Sequence, residues 1–259
     1  MRLPLRAPGL SRSADLAPDR RMLGTAWKLV TARLAGGAVV LFGLMCLIGE
    51  LLVHFDSAGP AYRADLGVDT WLAAHRSGAW NTATLIGTTL AQTETVIAVT
   101  AVLVLVLRWR LGRWHESLFL IAVMAGELAV FLSVTAVVHQ SRPPVSRLDP
   151  APSTSSYPSG HTAAAVALYG GIAVLALWVY GRRPATRLAA VVLALVPVFV
   201  GFSRLYRGMH YPSDVLAGAL LGGAWLLIVT TTLLPRAAGQ RLALRRSRPA
   251  SRPRAARAP

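Results

Sequence analysis

"YPSGHTAAAVALYGGIAVLALWVY", Tyr157 to Tyr180, changes character within five residues. A turn marked by Pro158 and Gly160, and carrying Ser159 and His161, runs directly into Thr162–Tyr180, an apolar run without a single charge. An uncharged run of this length is a candidate for crossing hydrocarbon, which takes about 20 helical residues. Similar runs recur at about Leu34–Val53, Leu85–Leu107, Leu118–Val138, Leu188–Phe202 with a few further residues at its C-terminal end, and Val215–Leu234. The second opens on Thr, Gln and Glu, and the fifth is short and contains Pro197, yet both read as spans. The expected fold is all-α: a polytopic membrane helical bundle of about six transmembrane helices within 28–235. A basic segment 1–27 precedes it and a basic tail 236–259 follows.

Composition points the same way. The chain has 259 residues, 54% of them hydrophobic and only 15% charged. Its mean hydropathy is +0.50, and a soluble domain of this size carries more charge. The net charge of +16 raises nucleic acid as a partner, but the distribution argues against it. Segments before the first span, between the second and third, between the fourth and fifth, and after the sixth hold 21 of the 27 Lys and Arg. The alternate segments hold Arg63, Arg76, Arg142, Arg147, Arg204 and Arg207. That alternation follows the positive-inside rule, so both termini are expected in the cytoplasm and membrane lipid, not nucleic acid, is the expected surroundings. The tail "RLALRRSRPASRPRAARAP" has no apolar periodicity and reads as disordered chain resting on anionic lipid. Cys46, the only cysteine, lies inside the first span as an apolar filler. The basic, polar N-terminus reads as no cleavable secretory signal.

Six spans place His139–His161 and Ser203–Asp214 on one face, opposite the arginine-rich loops. Together these loops hold His139, Arg142, Arg147, Ser159, His161, Arg204, Arg207, His210 and Asp214. In "SRLYRGMHYPSD" His210 and Asp214 are four apart, one helical turn. A carboxylate placed there can accept from one ring nitrogen and leave the other free as base or nucleophile. Arg142 and Arg204 are planar forks suited to phosphate or carboxylate. Gly160 lets backbone N–H groups at a helix start approach an anion. Arginines and N–H donors around a nucleophilic histidine, with a second histidine able to give up a proton, describe phosphoryl transfer through a phosphohistidine. A leaving group borne by a lipid accounts for His161 standing where the chain enters the membrane. Each residue alone reads as an ordinary solvated loop residue or helix-start turn; their joint occurrence on one face carries the chemistry. Abundant arginine and the lack of a carboxylate- or cysteine-rich set argue against a metal.

These residues strongly resemble the type 2 phosphatidic acid phosphatase family, membrane relatives of the vanadium haloperoxidases. That family carries Lys, six residues, Arg-Pro; then Pro-Ser-Gly-His; then Ser-Arg, five residues, His, three residues, Asp. The second motif is complete at Pro158, Ser159, Gly160 and His161, and the third at Ser203, Arg204, His210 and Asp214. The first is partial: Arg142-Pro143 is present, but Thr135 stands at the lysine position. The resemblance implies His210 as nucleophile, Asp214 as its orienting partner and His161 as the acid for the leaving oxygen. It implies Arg142, Ser159, Gly160 and Arg204 around the phosphate, with no metal or organic cofactor. Arg147, Arg207 and His139 are candidates to replace the missing lysine.

The expected activity is a metal-independent phosphatase acting on a lipid phosphate, of the phosphatidic acid or polyprenyl diphosphate class, at the extracytoplasmic face of the cell membrane. Alternatives are a lipid phosphotransferase, in which an acceptor hydroxyl replaces water, and a non-catalytic lipid-phosphate binder or transporter. Other features are assigned lesser roles. Glu127, mid-span, reads as hydrogen-bonded inside the bundle or part of a proton or substrate path. Val68–Trp80 reads as an interfacial anchor helix. The Gly170-Gly171 and Gly222-Gly223 pairs read as sites of close helix packing.

Overall fold

The central helix of the bundle follows from the composition of "HTAAAVALYGG". Ala163, Ala165, Ala167 and Leu168 are all fully buried, on faces that point in different directions around one helix. A helix buried on several sides needs small side chains, because each neighbour must approach its backbone. The computed structural model describes residues 20–55 and 59–234, with side chains from Trp27 onward. The tail 236–259, and all but the end of segment 1–27, lie outside the described residues.

Eight α-helices follow in order: α1 (Arg20–Glu50), α2 (Pro60–Ala74), α3 (Gly78–Thr89), α4 (Thr93–Leu111), α5 (His115–Val137), α6 (Gly160–Tyr180), α7 (Pro184–Tyr206) and α8 (Pro212–Leu233). A π-helical turn, Leu51–Phe55, extends α1. No strand occurs among the described residues. Helix α6 packs against α5, α7 and α8, while α1 covers α8 and α5, α3 lies on α7 and α4 on α5. The core runs through Phe119, Leu120 and Val123 of α5, Leu168 of α6 and Leu221 of α8, all of them buried. Helices α6 and α8 touch backbone to backbone: a Cβ at Gly222 would stand 2.5 Å from the Ala163 carbonyl oxygen. A Cβ at Gly218 would likewise run into that of Ser159.

The outside of the bundle is apolar. Val191, Leu195 and Val198 on α7, Leu105 on α4 and Leu216 and Leu227 on α8 are each more than half exposed. Among the described residues five helices are long and apolar enough to cross a membrane, and six if α3 and α4 form one bent span. That pair corrects one expectation. Instead of a continuous helix over Leu85–Leu107, the chain bends by 49° between Thr89 and Thr93. Gln92 takes extended backbone there, with ψ of 145°, and caps α4. The anchor helix expected over Val68–Trp80 is likewise divided. It breaks after Ala74, and Ser77 accepts from the Trp80 N–H to start α3. The fifth span runs a few residues past Phe202 as expected, with α7 continuing through Pro197 as far as Tyr206, and it begins earlier than expected, at Pro184.

Candidate active site

Two loops meet at one end of the bundle, joining α5 to α6 and α7 to α8. Backbone bonds tie them together: Leu148 N–H donates to the Arg207 carbonyl at 3.1 Å, and Ser159 N–H to the Asp214 carbonyl at 2.9 Å. Between them opens a cavity of about 1010 Å³, into which Arg142, Gly160, His161, Arg204 and His210 all project a surface. The sequence-predicted residues are therefore gathered around one space, with two exceptions, one of them Asp214, which is fully buried and does not line it.

The other exception is Ser159. Its side chain is fully buried and its hydroxyl accepts from Thr162 Oγ1 at 3.0 Å. With its N–H spent on Asp214, Ser159 stands behind the cavity wall and not in it. The N–H groups of Gly160 and His161, in the first turn of α6, have no intrahelical acceptor. Gly160 also serves packing, since a Cβ there would meet the Phe131 ring at 2.6 Å.

His210 is buried. Its Nδ1 lies 2.8 Å from the Ser156 carbonyl oxygen, so Nδ1–H donates and Nε2 keeps its lone pair. Arg142 Nη1 stands 3.5 Å from that Nε2 and donates to the Met209 carbonyl at 2.7 Å. The expected direct bond from His210 to Asp214 is not made: Asp214 Oδ2 is 3.6 Å from Nδ1. Asp214 instead accepts from Ser156 Oγ at 2.5 Å and from the Tyr211 N–H at 3.0 Å. Its contact with the ring runs at one remove, through Ser156. Burial pushes the His210 imidazole below its ordinary value, Asp214 opposes this, and Arg204 and Arg142 add to the depression.

Arg204 is held by Thr88 Oγ1 at 2.7 Å and by Asp149 Oδ2 at 3.1 Å. Arg207 grips the same carboxylate through Nε at 2.8 Å and Nη2 at 2.5 Å. Burial pushes the Asp149 carboxyl up, but the two arginines bring it net below its ordinary value. The Nε atoms of Arg142 and Arg204 are buried without a partner among the described residues. Arg207, occupied by Asp149, does not line the cavity. Arg147 and His139 line a separate basin of about 470 Å³ that shares Arg142. Thr135 lines neither, and its hydroxyl turns back to the Leu132 carbonyl at 3.0 Å.

Sequence reasoning missed Ser156, Asp149 and Thr88. Asp149 had a signal, as the one acidic residue between His139 and His161 in a loop with two arginines. Ser156 had none, lying in a serine-rich run where spacing singles out no member. The cavity continues as an apolar limb between α4 and α5, lined by Val96, Ile97, Val104, Ile121, Met124 and Leu128.

An apolar-coated helical bundle with a cationic cavity at one end is the architecture of a polytopic membrane protein that handles a charged ligand at its surface. Comparison with known proteins narrows this. The PAP2 superfamily pattern matches residues 117–237, the part of the chain that carries both histidine motifs. An undecaprenyl-diphosphatase of Sulfolobus acidocaldarius is 33% identical over 148 residues, covering 53% of this chain and 62% of the relative. A lipid A 1-phosphatase of Rhizobium johnstonii is 36% identical over 81 residues, 31% of this chain and 29% of that one. The chain thus spans less than two thirds of the length of these relatives. In fold it is similar to the crystal structure of a PAP2 type phosphatidylglycerolphosphate phosphatase from Bacillus subtilis. The TM-score is 0.63 at 22% identity, over 82% of this chain and 98% of that one.

Proposed function

We propose that the protein is a membrane phosphatase that hydrolyses a lipid phosphate through a phosphohistidine on His210, without a metal. One observation carries the reading: a His210 Nε2 with a free lone pair shares a cavity with two buried, unpartnered arginine Nε donors. Arg142, Arg204 and the N–H groups of Gly160 and His161 hold the phosphoryl oxygens. Ser159 contributes by fixing the start of α6 to Asp214. Nε2 bonds to phosphorus as the bond to the lipid oxygen breaks, and that oxygen keeps the electron pair and takes a proton from His161. Water then attacks phosphorus and gives its proton to His161. The P–N electrons return to Nε2 and inorganic phosphate leaves.

The apolar limb between α4 and α5 receives the lipid chain. The arginine alternation supports a cavity on the extracytoplasmic face, with both termini inside. The resemblance to relatives named as lipid phosphatases supports this reading. Purified protein in detergent is expected to release phosphate from lipid phosphates in the presence of a chelator, and to trap an acid-labile phosphoenzyme that His210→Ala abolishes. Turnover surviving His210→Ala would refute the covalent role. A cysteine placed at Ser153, with Cys46 replaced, is expected to react with an impermeant thiol reagent on intact cells. Labelling only after the membrane is opened would reverse the orientation.

A further inference from the structure

Glu127 is the one acidic residue facing the limb that receives the chain. It is 3% exposed, lines the cavity and has no hydrogen-bond or ion-pair partner among the described residues. A carboxyl at such a depth is costly unless something pairs with it. Its level in the cavity follows from helix register. Phe131 of α5 abuts Gly160 of α6, and Leu120 lies 3.7 Å from where a Cβ of Gly171 would stand. In that antiparallel register Glu127 falls beside Ala164, three residues along α6 from His161, or about 4.5 Å deeper at 1.5 Å per residue.

A second register places its neighbours across the limb. Ser117 Oγ of α5 bonds the Val104 carbonyl of α4 at 2.9 Å, which brings Gln92 and Thr93 to the level of Leu128 and Ala129, next to Glu127. Both line the same cavity. From the mouth inward the wall thus reads arginines and histidines, then one band of carboxyl, amide and hydroxyl, then hydrocarbon interrupted by the Thr100 hydroxyl.

We infer that Glu127 selects the substrate: it takes lipid phosphomonoesters bearing a hydroxyl two or three bonds beyond the phosphate ester oxygen, and disfavours polyprenyl diphosphates. This rests on the phosphatase reading above. With phosphorus at His210 and the leaving oxygen near His161, the next few ångströms of a hydroxylated glycerol or sugar lipid put an O–H at the polar band. There Glu127 accepts it, while Gln92 and Thr93 offer donors to its ester or ring oxygens. A polyprenyl diphosphate puts its second, anionic phosphate at the same level, where the wall offers Glu127 and no cation to pair with it.

The test uses purified full-length protein in one detergent with four probes: a 1-acylglycerol 3-phosphate, its 2-deoxy analogue, farnesyl monophosphate and farnesyl diphosphate. The parent is expected to prefer the hydroxylated probe over the deoxy one by about tenfold in kcat/KM, mostly through KM. Glu127→Leu is expected to bring that ratio close to one and to raise farnesyl diphosphate relative to the other probes. Glu127→Gln keeps an acceptor and the size of the side chain, so it is expected to retain part of the hydroxyl preference while admitting the diphosphate. Its conservative shape keeps the test valid where the leucine variant fails to accumulate. A parent that turns over probes without hydroxyl preference, or prefers farnesyl diphosphate, overturns this inference alone. So does a Glu127→Gln protein that loses kcat equally on all four. A parent that releases phosphate from none of the probes overturns the phosphatase reading, and this inference with it.

Discussion

Removing the Asp149 carboxylate puts two buried arginines at risk, and the cost can be worked from contacts already described. Asp149 receives three charge-assisted bonds, two from Arg207 and one from Arg204. The arginine side chains are only 5% and 7% exposed and the carboxylate 16%. Breaking such a buried ion pair from one side costs about 3–5 kcal/mol, because the surviving charges stay desolvated. Arg204 keeps Thr88, and Arg207 keeps the Asn81 and Leu148 carbonyls. The lower end therefore applies to Asp149→Ala, about 3 kcal/mol, or roughly 150-fold in the folding equilibrium at 1.4 kcal/mol per decade. The assay is unfolding of detergent-solubilised protein with and without vanadate. An oxyanion that binds the folded state at a hundredfold its Kd adds about 2.7 kcal/mol. The gain is expected to be larger in Asp149→Ala, where the anion also replaces a lost countercharge beside Arg204. A variant as stable as the parent, or one with the same vanadate gain, would show that neither arginine depends on Asp149.

Three further outcomes are expected. His161→Ala is expected to slow hydrolysis of an alkyl lipid phosphate by about 10²–10⁴-fold, and to slow an aryl phosphate with a low-pKa leaving group far less; equal losses would remove His161 as the acid. Because burial holds the His210 imidazole low, Nε2 stays unprotonated as pH falls through the usual histidine value of about 6.5. The acid limb of kcat/KM is then expected below that value, and a limb above it would contradict the buried neutral ring. Asp69 on α2 is 1% exposed and neither carboxylate oxygen has a partner; burial, then Asp65 and Asp214, push its carboxyl up to about 8. The folded state therefore keeps a proton that the unfolded chain releases above about 4, and stability falls as pH rises between those values. Asp69→Asn is expected to be more stable than the parent by a few kcal/mol at most at pH 8 and little different near pH 4, whereas a pH-independent gap would rule out titration at this site.

The sequence displayed the spans and the histidine motifs because both depend on local pattern. An uncharged run reveals a membrane-length helix wherever it sits, and His161, Arg204 and His210 stand at fixed offsets from glycine and proline. What stayed hidden depends on tertiary placement. Ser156 became the direct partner of His210 only because the two loops fold together, and no spacing within either loop encodes that. Ser159 looked like a phosphate ligand on type and position. The close approach of Gly218 to its carbonyl, however, turns the residue into the α6–α8 contact. The α3–α4 break at Leu90–Gln92 was masked by the apolar residues on both sides, since hydropathy averages over a bend.

The apolar limb between α4 and α5 bears on how affinity is to be measured. A fatty chain that slides from the bilayer into this groove leaves one hydrocarbon surrounding for another, so the usual gain from escaping water is absent. Chain length then adds almost nothing to binding, and discrimination falls to the few polar atoms at the groove's upper end. The concentration that governs occupancy is two-dimensional: the mole fraction of ligand among its lipid or detergent neighbours. Diluting a ligand with inert detergent at constant bulk concentration lowers saturation, while diluting the whole suspension with buffer leaves it unchanged.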